Sequence, residues 1–165
     1  MKHFRALVAA AGVIALVAAA GAALGATPKP KTVTFKGAYA GTVTEKVDGQ
    51  NVTGLTNGTG SSTAVGKGKL IGTPAGTTAN PPCSPITGVA TITGPKGNLK
   101  VSLLPTARAC AASEDDQDNI SVVGDAKVAG GTKLFKKAKG KLHFSGTYDR
   151  KAFKFTLKFT GKLTY

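Results

Sequence analysis

The last thirteen residues constrain the chain most. From Phe153 to Tyr165 one side of an extended segment reads Phe153, Phe155, Leu157, Phe159, Gly161, Leu163, Tyr165, and the other Lys154, Thr156, Lys158, Thr160, Lys162, Thr164. Successive side chains of a strand point to opposite faces, so this unbroken period of two demands one buried and one wet face. No helical path gathers these aromatics on one side. Fully burying a Phe or Leu is worth roughly 1.5 to 3 kcal/mol, which makes this strand a principal wall of the core.

The alternation recurs over residues 32–46, with Val33, Phe35, Gly37, Tyr39, Gly41 and Val43 on one face and Thr32, Thr34, Lys36, Thr42 and Thr44 on the other. Asp48-Gly49-Gln50-Asn51 is turn chemistry. Residues 51–62, rich in Gly, Thr and Asn, read either as a loop or as a weak, bulged strand. Strand character returns over residues 64–72 with Val65, Leu70 and Ile71. Residues 73–85 carry Pro74, Pro81, Pro82 and Pro85 and are expected to stay out of any ladder, because proline has no N–H.

Residues 86–93 and 98–104 flank Gly94-Pro95-Lys96-Gly97 and read as a hairpin. Residues 105–113 are irregular and compatible with a short helical turn over 106–112; residues 119–128 form another strand. The closing hairpin joins residues 140–148 to 153–165 around Asp149-Arg150-Lys151-Ala152. That loop pairs Tyr148 with Phe153, Gly146 with Phe155, Phe144 with Leu157 and Leu142 with Phe159. Seven or eight strands and no long amphipathic helix make an all-β domain. Phe-x-Gly, repeated at Phe35-Gly37, Phe144-Gly146 and Phe159-Gly161, favours a barrel over a sandwich: glycine lets a sheet coil sharply and a cross-strand aromatic covers the gap. The expected fold is a single antiparallel β-barrel of about eight strands.

Residues 1–26 have the make-up of an export signal: Lys2 and Arg5, then an uncharged Ala/Val/Leu/Ile run, then small residues up to Gly25 and Ala26. Residues 27–31 form a short leader, residues 32–165 the barrel domain, and the protein is expected to be secreted, with no membrane anchor. Both cysteines, Cys83 and Cys110, lie in the exported part. In an oxidising compartment a disulfide is favoured over two free thiols, and with a single histidine beyond the signal they make a poor metal site.

The formal charge of +14 is unevenly distributed. Residues 127–165 hold eleven Lys/Arg against one acid, Asp149 (11 − 1 = +10), whereas residues 27–126 hold nine against seven (9 − 7 = +2). Such a field favours anionic partners, and for an exported protein these are wall polymers, acidic glycans or lipid head groups before nucleic acid. The plainer reading is that lysines keep a sheet soluble and its edges unpaired.

Gly130-Gly131-Thr132-Lys133-Leu134-Phe135-Lys136-Lys137-Ala138-Lys139-Gly140, followed by Lys141-Leu142-His143-Phe144, resembles the Gly-Gly-Thr-Gly-x-Phe-x-x-Ala-x-Gly segment of the allene oxide cyclase and dirigent barrel superfamily. That segment leads into a barrel strand in the family, and secreted bacterial proteins share the barrel. Here Lys133 stands at the family's fourth-position Gly, and Lys137 where a small residue is frequent. The resemblance implies an allene-oxide-cyclase-like barrel and transfers no catalytic residue.

Little in the chain suggests catalysis. His143 alternates with Leu142 and Phe144 and falls on the wet face beside Lys141. No nucleophile elbow, phosphate-binding loop or histidine cluster is present. Asp116 and Asp118, in the acidic run of residues 114–119, are the one candidate pair for calcium. That run lacks the Gly and the distal bidentate Glu of a calcium loop and reads more simply as solvated. No metal site and no cofactor are predicted. A binding function is expected from the barrel interior, where Phe35, Tyr39, Phe144, Phe153, Phe155 and Phe159 line or fill the lumen around a small apolar ligand. One alternative is a cyclase or isomerase that confines an apolar substrate; the other is a wall-associated module held weakly by its lysines.

Overall fold

The computed structural model describes residues 29–79, 82–113 and 115–165, so the export signal expected over residues 1–26 lies outside them. The described residues form β1 (Thr32–Asp48), β2 (Asn51–Ser62), β3 (Gly66–Thr77), β4 (Cys83–Gly94), β5 (Gly97–Leu103), β6 (Arg108–Ala111), β7 (Asn119–Gly131), β8 (Lys139–Asp149) and β9 (Lys154–Thr164). A 3₁₀ turn, Lys133–Phe135, lies between β7 and β8. All pairings are antiparallel, and eight strands close a barrel in the order β1-β2-β3-β4-β5-β7-β8-β9, with β9 bonded back to β1. The ninth, β6, lies outside this ring of eight. It pairs with β4 and β7 beyond the end of β5 and runs in the same direction as β5, so it prolongs that line of the wall.

Alternation sets the inner face as expected. Along β1 the inward positions run Val33, Phe35, Gly37, Tyr39, Gly41, Val43, and along β9 they run Phe155, Leu157, Phe159, Gly161, Leu163. The Phe-x-Gly repeats interlock where these strands meet: Phe35 stands opposite Gly161, and Phe159 opposite Gly37. Each ring occupies space that its cross-strand partner leaves empty, which allows the wall to curve tightly.

Of the two readings left open for residues 51–62, the structure has the strand, along their whole length. Three local expectations need correction. Proline does not keep residues 73–85 out of the sheet: Pro74 pairs with Gly88, and Pro85 with Arg108. The β2–β3 ladder skips the positions around Pro74, passing from the Thr53–Ala75 pair to Thr56–Gly72, so the missing N–H falls where no bond is made. Instead of a helical turn, residues 108–111 form β6.

The third correction is the closing register. Tyr148 pairs with Phe155, Gly146 with Leu157, Phe144 with Phe159 and Leu142 with Gly161, two residues away from the expected pairing. The turn still holds four residues, 150–153 in place of 149–152, and its last, Phe153, adopts φ 53° and is 49% exposed. An N–H donor at Ala152 caps the Asp149 carboxylate at 2.9 Å, and the Phe153 carbonyl accepts from Val43 N at 2.9 Å. A slip of two keeps every side chain on its face, so the core survives the change while the partners differ. The ring expected to cover Gly146 instead covers Gly58: a Cβ there would stand 2.6 Å from Cζ of Phe155.

Candidate functional site

The barrel has two unlike ends. At one, the β2–β3 turn and the segment between β7 and β8 fold inward. Val65 and Phe135 are fully buried there, and Phe135 meets Tyr165 edge-on with ring centroids 5.0 Å apart. The plug is held by main-chain bonds: Gly130 N donates to Ala138 O, Phe135 N to Thr132 O, and Thr132 N to Asn98 O. Asn98 N in turn donates to the Thr132 hydroxyl. Gly130 at φ 84° and Lys133 at φ 51° make the two left-handed bends that turn Phe135 into the lumen.

The other end is hollow. A cavity of about 240 Å³ opens there, towards the β1–β2, β3–β4 and β8–β9 connections. Its wall is mostly apolar: Val43, Val52, Leu70, Ile86, Val101, Leu103, Ile120, Val122, Phe144, Phe155, Leu157 and Phe159. Gly54 and Thr56 of β2 leave the space, since these inward positions present little bulk. A cavity of ~150 Å³ suffices for benzene, so this one accommodates a somewhat larger molecule.

Polar side chains interrupt the apolar wall near the mouth: Thr77, Thr78, Ser84 and Gln117, and the ionisable Glu45, Tyr148 and Arg150. Arg150 Nε lies 3.6 Å from Glu45 Oε2, with both side chains largely shielded from solvent; at that distance the charges attract without a hydrogen bond. The Tyr148 hydroxyl is buried with no hydrogen-bond partner among the described residues. Burial, reinforced by the nearby Glu45 carboxylate, pushes its pKa well above the ordinary phenol value.

Of the six aromatics expected at a ligand, Phe144, Phe155 and Phe159 line this cavity. Phe35 and Tyr39 are buried in the filled part of the barrel, Tyr39 edge-on to Phe159 at 6.1 Å, and do not reach it. Phe153 lies outside the lumen, for the turn geometry given above. The sequence reading overlooked Glu45, Tyr148 and Arg150, yet the signal was available. One further step of the β1 alternation beyond Val43 reaches Glu45, and continuing Phe144, Gly146 along β8 reaches Tyr148 and then Arg150.

The remaining candidates have other occupations. Cys83 and Cys110 are directly paired across β4 and β6, with Cα atoms 4.0 Å apart, and are joined by a disulfide. His143 is on the outer surface, where Nδ1 lies 3.2 Å from Asp125, as does Lys141 Nζ at 3.0 Å. Hydrogen bonds from Lys141 and then His143 hold the Asp125 carboxyl below its ordinary value. The Asp116 carboxylate accepts from Asn119 Nδ2 at 2.8 Å and from the Asp118 and Asn119 amides, while Asp118 pairs with Lys151 at 2.9 Å. Their oxygens fasten their own loop. In comparisons with known proteins, no family model matches the chain, and neither does any curated protein or solved structure.

Proposed function

We propose that the protein is a secreted barrel that binds a small apolar ligand in the hollow end of its lumen. The observation that carries this reading is the cavity itself: about 240 Å³, walled by aliphatic and aromatic side chains and open at one end only, the other being plugged by Val65 and Phe135. Apolar concavities with a few convergent polar groups are the usual form of small-molecule sites. The disulfide and the signal-like composition of residues 1–26 support secretion. The kinship proposed with the allene oxide cyclase and dirigent barrels draws support from Lys133, whose φ of 51° is a conformation suited to the glycine those proteins carry there.

The test is titration of the exported protein with an apolar fluorescent probe, beside Phe155→Trp, which enlarges a cavity-lining ring and narrows the space. Saturable binding by the wild type and its loss in the variant are expected. A probe that ignores both proteins would remove the reading.

One observation favours a second activity at the surface. Lys127, Lys141 and Lys162 stand directly opposite one another on β7, β8 and β9, at strand separations of about 4.8 Å. Among the described residues, Lys141 alone of the three has a carboxylate partner, Asp125. Like charges in register repel, and an anionic wall polymer or glycan would relieve that repulsion. Such attraction is screened within about 8 Å at physiological salt, so polymer binding should vanish by 0.5 M salt, roughly four times that ionic strength.

A further inference from the structure

We infer that the lumen selects an uncharged ligand with one oxygen acceptor, such as a ketone, aldehyde or ester carbonyl, which receives a hydrogen bond from Tyr148 while the hydrocarbon part fills the cavity. The inference rests on the lumen being the binding site. Tyr148 is 9% exposed and lines the cavity, and its hydroxyl makes no hydrogen bond of ordinary geometry among the described residues, the Glu45 carboxylate being the polar group beside it. A buried hydroxyl without a partner is costly, and sites built around such a group discriminate by what satisfies it. A hydrocarbon would leave the hydroxyl as it stands; a carbonyl oxygen at the mouth would satisfy it.

The charge of the ligand follows from the ionisable residues of the lining, Glu45, Tyr148 and Arg150. Glu45 and Arg150 already neutralise each other across 3.6 Å, so the mouth offers no net charge to an ionic head group. A carboxylate near Tyr148 would also meet the Glu45 charge, and a cation would meet Arg150. Burying an ion there would require the existing pair to break, which exposes one of its members to an apolar wall. A neutral acceptor avoids both penalties. The tyrosine can serve it as donor throughout the neutral range because it stays protonated.

Three molecules with one skeleton test this: 2-acetylnaphthalene, 2-ethylnaphthalene and 2-naphthoate, each titrated against the intact protein and against Tyr148→Phe. In the wild type the ketone should bind about tenfold more tightly than the hydrocarbon, the scale of one well-made hydrogen bond from a buried donor. The naphthoate should bind weakest. In Tyr148→Phe the ketone's advantage over the hydrocarbon should disappear. Equal wild-type affinities for ketone and hydrocarbon would overturn the inference while leaving lumen binding intact, and so would an advantage that persists in the variant. Tightest binding by naphthoate would overturn it in favour of an anionic ligand. If none of the three binds, the lumen reading falls and this inference with it. Near-ultraviolet circular dichroism of the variant establishes that it is folded, so lost selectivity cannot be mistaken for lost structure.

Discussion

The plugged and hollow ends of the barrel are built from the same strands, yet they solve opposite problems. At the plugged end a segment of eleven residues, 130–140, spends its whole length placing Phe135 and Ala138 inside, with glycine and a left-handed lysine making the bends. At the hollow end nothing comparable enters. The inward positions of β2 are small there, and the polar residues Glu45, Tyr148 and Arg150 occupy places where a core would carry aliphatics. The contrast separates stability from binding. One end holds tightly packed interior, and the other forgoes packing to keep a void that dispersion contacts would otherwise have filled.

The comparison breaks most readily at Phe135. Phe135→Ala removes a fully buried ring from the plug and should destabilise by about 3 to 5 kcal/mol in equilibrium urea unfolding. Phe153→Ala, at the exposed turn, should change stability by less than about 0.5 kcal/mol. Similar losses from the two would mean that the plug is not where the core is anchored.

At the hollow end the disulfide does part of what packing does at the other. Replacing Cys83 and Cys110 together by Ser releases a covalent loop with a sequence separation of 27. The chain-entropy model puts that loss at about 3 to 4 kcal/mol. Hydrogen exchange should show β6 and the facing part of β7 losing protection first, with the plug unaffected. Uniform loss of protection across the barrel would erase the distinction between the ends.

A matched pair of enlargements sharpens the contrast further. Ala138→Leu, in the plug, overfills a packed site and should cost about 1 to 3 kcal/mol. Ala90→Leu, on the cavity wall, should instead add about 0.5 to 2 kcal/mol of stability by filling space, and should weaken probe binding. Opposite signs from the same substitution would be direct evidence for one full and one empty end.

The smallest effect belongs to the outer surface, which distinguishes neither end. Asp125 has a folded-state pKa below its unfolded value, through its bonds with Lys141 and His143. Its contribution is therefore fully present above about pH 4, the ordinary carboxylate value, and is lost as pH falls through the lower folded-state value. Asp125→Asn should flatten the acid limb of a stability–pH curve and leave it unchanged near neutrality apart from a constant offset.

What was legible in the sequence follows from the period-two rule. In β1 as far as Val43 and along β9, apolar residues and glycines mark the inward positions, so the strands, their faces and the closing of a barrel could all be read. In β2 the inward positions are Val52, Gly54, Thr56, Gly58, Gly60 and Ser62, and small residues on the inside look like a loop. Gly58 and Gly60 are small because rings from neighbouring strands, Phe155 over Gly58 and Tyr39 against Gly60, occupy the space. That information belongs to the partner strand and is invisible along one segment. The same limit hid the register of β8 and β9: alternation fixes faces and leaves a slip of two undetermined, and only the left-handed turn at Phe153 selects it. Glu45 and Arg150 were missed for another reason, because hydrophobic patterning stops at the first polar residue even when the strand continues.

The bond between β1 and β9 has a consequence for how the molecule comes to exist. Thr32 faces Thr164, so the seam that seals the ring joins residues at the two extremes of the described chain, with a hydroxyl contact across 132 positions of sequence. A ribosome delivers β9 last. Until then β1 and β8 are open edges with unpaired amides, able to recruit any extended neighbour. Closure also waits on a very long loop, which places such a topology among the slower folders. The final strand, with a lysine at every second outward position, is thus both the latch of the barrel and a charged guard for the edge it is about to cover.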